Sequence, residues 1–140
     1  MKILLPVDGS DYTKRMLAYV AAHDEFLGSE HEYTVFTAVP PVPEHAARFL
    51  DGDTLTAYYR EQAEAVLRPV RKFADQQHWK VSVVHRHGHA AEAIAALAEE
   101  LQPDLIIMGT HGHSALGNVV MGSVANGVLA RCPAPLLLVH

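Results

Sequence analysis

The apolar residues of this chain follow two rhythms that alternate along its length. Ile3-Leu4-Leu5-Pro6-Val7 is an unbroken apolar run, the pattern of a strand buried on both faces of a parallel sheet. It stops at Asp8-Gly9-Ser10-Asp11, a turn-and-cap cluster in which Ser10 or Asp11 can start a helix. That helix is expected from about Tyr12 to Leu27, with Met16, Val20 and Leu27 on one side and Gly28 as its stop. Glu32 to Val39 is rich in β-branched and aromatic residues and reads as the second strand, ended by Pro40, Pro41 and Pro43. Val42 to about Asp53 reads as a loop longer than usual, a candidate cover for a binding site. Thr54 to Gln77 has helical spacing, with Tyr59, Ala63, Val66, Val70 and Phe73 as its buried stripe. Pro69 inside that pattern predicts a kink, or a break into two helices.

The same alternation repeats to the end of the chain. Lys80 to Arg86 is the third strand, Ala90 to Leu101 a helix, and Leu105 to Met108 the fourth strand. Val124 to Arg131 is the last helix, where Gly127 suggests close packing, and Pro135 to Val139 is the fifth strand. Strands alternating with helices predict an α/β fold with a single open, doubly wound parallel sheet and helices on both faces. Ligands in such sheets bind beyond the carboxyl ends of the strands, where strand order reverses. The segments that follow strand ends are Val7-Asp8-Gly9-Ser10, Gly88-His89-Ala90 and the stretch after Met108. They are expected to converge on one crevice.

The stretch after Met108 carries the chemistry. Gly109, Gly112 and Gly122-Ser123 form the pattern G-x2-G-x9-G-S between a strand and a helix. Glycine there allows positive φ and lets the backbone approach a bulky anion. The following helix start offers unpaired N–H groups and a partial positive charge, an anion seat. Ser123 is the expected N-cap. The pattern is not G-x-x-x-x-G-K-[ST], since no Lys follows any of these glycines. Nor is it the dinucleotide G-x-G-x-x-G.

Composition narrows the setting. The 140 residues suit one domain, residues 1–140, with one core. A net charge of −5 argues against a nucleic-acid partner. Cys132 is the only cysteine, so a reducing compartment fits, and it reads as a small buried residue beside Pro133. Pro6 and Asp8 cut the N-terminal apolar run too short for a signal peptide, and no run is long enough to span a membrane. A cytoplasmic location is therefore expected. Ten histidines are many for this length. His85, His87 and His89 alternate, as do His111 and His113, and paired imidazoles can bind zinc or copper. Solvated loop histidines, with one or two facing a ligand, are the preferred reading, and no metal site is assigned.

Taken together, Leu5-Pro6-Val7-Asp8-Gly9-Ser10, Gly88-x-Ala90, the G-x2-G-x9-G-S spacing and Cys132-Pro133-x-Pro135-Leu136-Leu137-Leu138-Val139 resemble the universal stress protein family over the whole chain. The glycine pattern is similar to that of its ATP-binding members. The resemblance implies five parallel strands in the order 3-2-1-4-5. It implies adenosine near Pro6, Val7, Asp8 and Ser10, with Val39 as an apolar wall and Met108 on the ribose side. Gly109, Gly112, Gly122 and Ser123 would hold the phosphates of ATP through backbone N–H groups, with Val124 extending the contact at the helix start; His111 and His113 are further candidate binding residues, and Mg or Mn is a candidate accompanying ion. It further implies a homodimer through the C-terminal strand, whose apolar edge would otherwise be open. Many ATP-binding relatives carry Arg where this chain has His113. Arg grips phosphate while charged and His only when protonated, so triphosphate binding is expected to strengthen on acidification. The reading is a nucleotide-dependent signalling module that reports ATP to a protein partner by loop ordering. The alternatives are a slow ATPase using His111 or His113, and a stress-response scaffold without nucleotide.

Overall fold

The computed structural model describes residues 1–113 and 120–140. Five strands, β1 (Lys2–Pro6), β2 (Glu32–Val39), β3 (Lys80–His87), β4 (Leu105–Gly109) and β5 (Leu136–Val139), form one parallel sheet in the order β3-β2-β1-β4-β5. The helices are α1 (Asp11–Ala22), α2 (Asp24–Leu27), α3 (Glu44–Ala47), α4 (Gly52–Gln76), α5 (Ala90–Leu101) and α6 (Ser123–Arg131).

Period two in the strands sorts the core into two layers. Ile3, Leu5 and Ile107 pack on one face with Met16 and Val20 of α1 and Leu67 of α4. Leu4, Ile106 and Met108 face the opposite way, against Ile94 and Leu97 of α5 and Val128 of α6. Leu4 aligns with Thr34 on one side and Ile106 on the other, and is wholly buried. An unbroken apolar run is what such a central strand needs. Gly127 lies where a Cβ would come 2.6 Å from Ala91 Cβ, so its absence lets α5 and α6 approach closely, as the sequence suggested.

Several boundaries differ from expectation. The expected helix from Tyr12 to Leu27 breaks at His23, whose φ of −112° and ψ of 49° are not helical. The His23 ring Nδ1 donates to the Tyr19 carbonyl at 2.7 Å, and the ring stacks on Tyr19 at 4.1 Å. That takes the acceptor a continuing helix would give to the His23 N–H, which bonds Val20 O instead. The long loop before α4 contains the short helix α3, and α4 begins at Gly52 because Asp51 accepts from Thr54 N–H at 2.6 Å. Pro69 does not divide α4. Its buried stripe is Tyr59, Ala63, Leu67, Val70 and Ala74, while Val66 and Phe73 are only partly buried. Ser123 is not the cap of α6: Gly122 holds that position with extended backbone, and Ser123 is the first helical residue.

Tyr33 ties β2 to the end of α2. Its ring stacks on Trp79 at 5.2 Å, and its hydroxyl donates to the Leu27 carbonyl at 2.5 Å, with the Gly28 carbonyl 3.0 Å away. Burial, with the nearby Asp24 charge second, pushes its phenol up from 10.0 to about 12. The folded state therefore keeps this proton while the unfolded chain loses it, and stability falls as pH rises from 10.0 towards about 12. Denaturant melts across that window should show a shallower alkaline loss in Tyr33→Phe than in the parent. Equal slopes would contradict this assignment.

Candidate functional site

Strand order reverses between β1 and β4. A crevice of about 610 Å³ opens there, at the carboxyl ends of β1, β2 and β4. Pro6, Val7 and Asp8 form one wall, Phe36 to Pro40 another, and Met108 to His113 a third. Gly122, Ser123, Val124 and Ala125 close it from the start of α6, while Ala90 and Ile94 come from α5.

Asp8 is fixed by the first turn of α1. Its Oδ1 accepts from Ser10 N–H and from Thr13 Oγ1, each at 2.9 Å, and Thr13 Oγ1 accepts from Asp8 N–H at 3.0 Å. Gly9, at φ +77°, makes the turn that brings Ser10 back onto the carboxylate. The glycine loop folds over this turn. A Cβ on Gly112 would collide with Asp8 Oδ2, and one on Gly109 would lie 2.7 Å from Tyr12 Cβ. The His113 ring Nε2 donates to the Asp8 carbonyl at 2.6 Å, so it carries its hydrogen on that nitrogen.

The motif glycines thus serve close approach. They do not supply the positive φ that the sequence suggested: among the described residues the positive-φ glycines are Gly9 and Gly88. Gly122 N–H donates to Thr110 O at 2.6 Å, closing the loop on itself, so this amide does not face an anion as expected. The amides left for one are those in the first turn of α6, at Ser123, Val124 and Ala125, which have no intrahelical acceptor.

His111 is 9% exposed, and its Nδ1 is buried with no partner among the described residues. The ring meets Tyr12 edge-on at 5.0 Å and lies 5.9 Å from the His140 ring. Nδ1 sits 3.5 Å from where a Gly122 Cβ would be, so a side chain there would crowd it. A buried polar atom without a partner at the crevice wall suits a site that a ligand or water completes.

Pro6, Val7, Asp8, Val39, Met108, Gly109, His111, Gly112, His113, Gly122, Ser123 and Val124 all line the crevice. Ser10 does not. It is 6% exposed, its Oγ lacks a partner among the described residues, and its backbone N–H positions Asp8. The expected convergence of Gly88-His89-Ala90 holds only through Ala90. Gly88 N–H bonds the Val39 carbonyl at 2.8 Å, tying the end of β3 to the end of β2. Sequence reasoning missed Thr13, Thr37, Gln62 and Thr110 as lining groups. Thr13 carried a signal, since a hydroxyl in the first helical turn can reach back to a carboxylate just before it. Gln62 carried none, because only the crossing of α4 over β2 brings it there.

Most other histidines lie elsewhere. His87 is exposed and stacks on Tyr59 at 4.4 Å. Among the described residues no group of three or more His, Cys, Asp or Glu side chains comes together. Among them, too, no helix is long and apolar enough to cross a membrane. Cys132 is half-buried, and burial pushes its thiol up.

A parallel sheet in this order, with a glycine-flanked crevice at its switch point, defines a doubly wound α/β fold with its crevice where such sheets bind ligands. The family model for the universal stress protein family matches residues 1–140, and the chain belongs to that family. It is 34% identical to a Thermus aquaticus universal stress protein encoded in the QAH/OAS sulfhydrylase 3' region, over 99% of this chain and 97% of that one. Among solved structures, MJ0577 of Methanocaldococcus jannaschii superposes with a TM-score of 0.82 at 27% identity, over 99% of this chain and 94% of that one. A universal stress protein of Archaeoglobus fulgidus in complex with dAMP matches the fold with a TM-score of 0.70 at 19% identity, over 100% of this chain and 98% of that one.

Proposed function

We propose that this universal stress protein is an adenine-nucleotide-binding signalling module, with ATP as its cellular nucleotide. The observation that carries the reading is the meeting of the Asp8 turn with the G-x2-G-x9-G-S loop around one crevice. Adenosine lies against Val7, Asp8, Val39 and Met108. The phosphates lie at the start of α6, where unpaired amides and the helix dipole favour negative charge. The dAMP complex of the Archaeoglobus fulgidus protein supports a nucleotide in this family. The module acts in the cytoplasm as a homodimer paired through β5, the apolar sheet edge. The segment 40–51 is the element whose ordering a protein partner reads. It is anchored at Val42, whose N–H donates to Tyr59 Oη at 3.0 Å, and it presents Phe49 at 88% exposure.

Binding is favoured over turnover. Hydrolysis needs a positioned water and charge stabilisation, and Asp8, the only carboxylate lining the crevice among the described residues, has Oδ1 already committed. Titration calorimetry with ATP, ADP and AMP, alongside mass spectrometry of small molecules released from the purified protein, tests the reading. Saturable binding of adenine nucleotides is expected, with phosphate release in single turnover far slower than nucleotide exchange. No binding heat at millimolar nucleotide would overturn it.

A further inference from the structure

We propose that the outer edge of β3 is a docking site for an extended acidic segment of a partner protein, added to the sheet as a further strand. The site is separate from the crevice and stands at the opposite sheet edge from β5. β3 pairs with β2 over all 8 of its residues and has no strand on its other side. Gly88 N–H donates to the Val39 carbonyl, so the His87 carbonyl of the same planar peptide points away from β2. Backbone direction alternates along a strand, so Val81, Val83, His85 and His87 turn their N–H and C=O groups outward. Among the described residues no hydrogen bond reaches this outer row. Open donors and acceptors along a sheet edge are a template for another strand.

Charge selects the occupant. Residues 60–87, most of α4 and all of β3, hold six of the 11 Lys and Arg but only three of the 16 Asp and Glu. That stretch is net +3 and the remainder −8, within a total of −5. Arg71 is paired with Glu64 and Arg86 with Glu100. Arg68, Lys72 and Lys80 are exposed and have no ion pair among the described residues. The α4 cations lie beside the strand edge. The Glu64 carboxyl is held below its ordinary range first by the Arg71 hydrogen bond, and also by the Arg71, Arg68 and His85 charges. A second copy of the chain would set the same cations against one another, which disfavours self-pairing here.

The two faces of β3 set the pattern of the added strand. Val81 and Val83 are half-buried on the α4 side, where they suit apolar neighbours. Lys80 and Arg86 fall on the other side by alternation, where Arg86 meets Glu100 of α5 and Lys80 suits a carboxylate. The occupant therefore alternates acidic and apolar residues.

The test is fluorescence anisotropy at low salt with the full chain and a labelled, capped peptide of about eight residues alternating Glu with Val, a length matched to β3. Saturable binding is expected, at least about tenfold tighter than for the same peptide with Lys in place of Glu. Two further peptides are N-methylated at every Glu or at every Val. One should lose about tenfold or more and the other keep its affinity, because only alternate N–H groups of an added strand face β3. Lys72→Glu combined with Lys80→Glu should weaken the Glu peptide about tenfold. His85→Pro removes one outward N–H, leaves the bonds to β2 in place, and should weaken it similarly. Circular dichroism checks that each variant is folded, and if His85→Pro is not, the lysine pair and the methylated peptides decide. Equal binding of the Lys peptide, full affinity in both methylated peptides, or no saturation at millimolar Glu peptide would overturn the proposal. So would self-association of the chain that His85→Pro abolishes, since the edge would then belong to a second copy.

Discussion

Gly112→Ala lowers adenine-nucleotide affinity by about 30-fold or more, equivalent to about 2 kcal/mol. The cause is local. The new methyl group would occupy the space of Asp8 Oδ2. That carboxylate cannot swing aside cheaply, because Oδ1 is held by Ser10 N–H and Thr13 Oγ1 at 2.9 Å. Nor is Gly112 in a left-handed conformation, so the backbone itself accepts Ala. What yields is the seating of the loop on β1, and with it the His113 contact to the Asp8 carbonyl. The nucleoside wall at Asp8 and the phosphate seat at α6 then lose their mutual spacing. Calorimetry measures the loss of affinity. A double-mutant cycle in thermal stability identifies the cause: in an Asp8→Ala background the stability cost of Gly112→Ala should shrink by about 1 kcal/mol. Strictly additive costs would show that the carboxylate is not what the methyl group meets.

The same region shows what a one-dimensional reading reaches. Ile3 to Val7 reads as a buried parallel strand because the apolar run is unbroken, short and ended by a turn cluster. Glu32–Val39 and Ala90–Leu101 have the boundaries expected of them, since prolines or glycines stand just outside each. The order of the strands came from resemblance and not from any local pattern. The break at His23 was illegible because it depends on a side chain competing for a main-chain acceptor, which periodicity cannot register. The glycines were read correctly as a loop but for an incomplete reason. Spacing marks the positions, while only the fold shows that Tyr12 and Asp8 leave no room for a side chain at Gly109 and Gly112 and that the Thr110 carbonyl crowds one at Gly122. Gln62 and Val66 reach the crevice because α4 crosses the sheet there, a long-range fact with no trace in their own neighbourhood. Ser10, expected near the adenosine, stays out of the crevice lining and positions Asp8 through its amide.

Phe36→Ala is expected to cost about 3–5 kcal/mol of folding stability, against a total of about 5–15 kcal/mol for a domain of ordinary stability. Phe36 is wholly buried in β2, between Pro6 and Val84 in register, and packs with Leu4, Ile94, Ile106 and Met108. These neighbours come from two strands and from α5, so they cannot all move in to refill the space. Phe36 also lines the crevice, so the vacated volume joins an existing opening that water can enter, and part of the cavity penalty is relieved. That connection gives the substitution a second consequence, since the crevice gains volume behind the nucleoside wall and nucleotide affinity falls with stability. Phe49→Ala is the matched control. Phe49 is 88% exposed, and the same chemical change there should stay within about ±0.5 kcal/mol. Chemical denaturation of both variants decides the point. A Phe36→Ala loss no larger than that of Phe49→Ala would mean that the layer between β2 and α5 is not the packed core described, and the crevice resting on it would have no fixed floor.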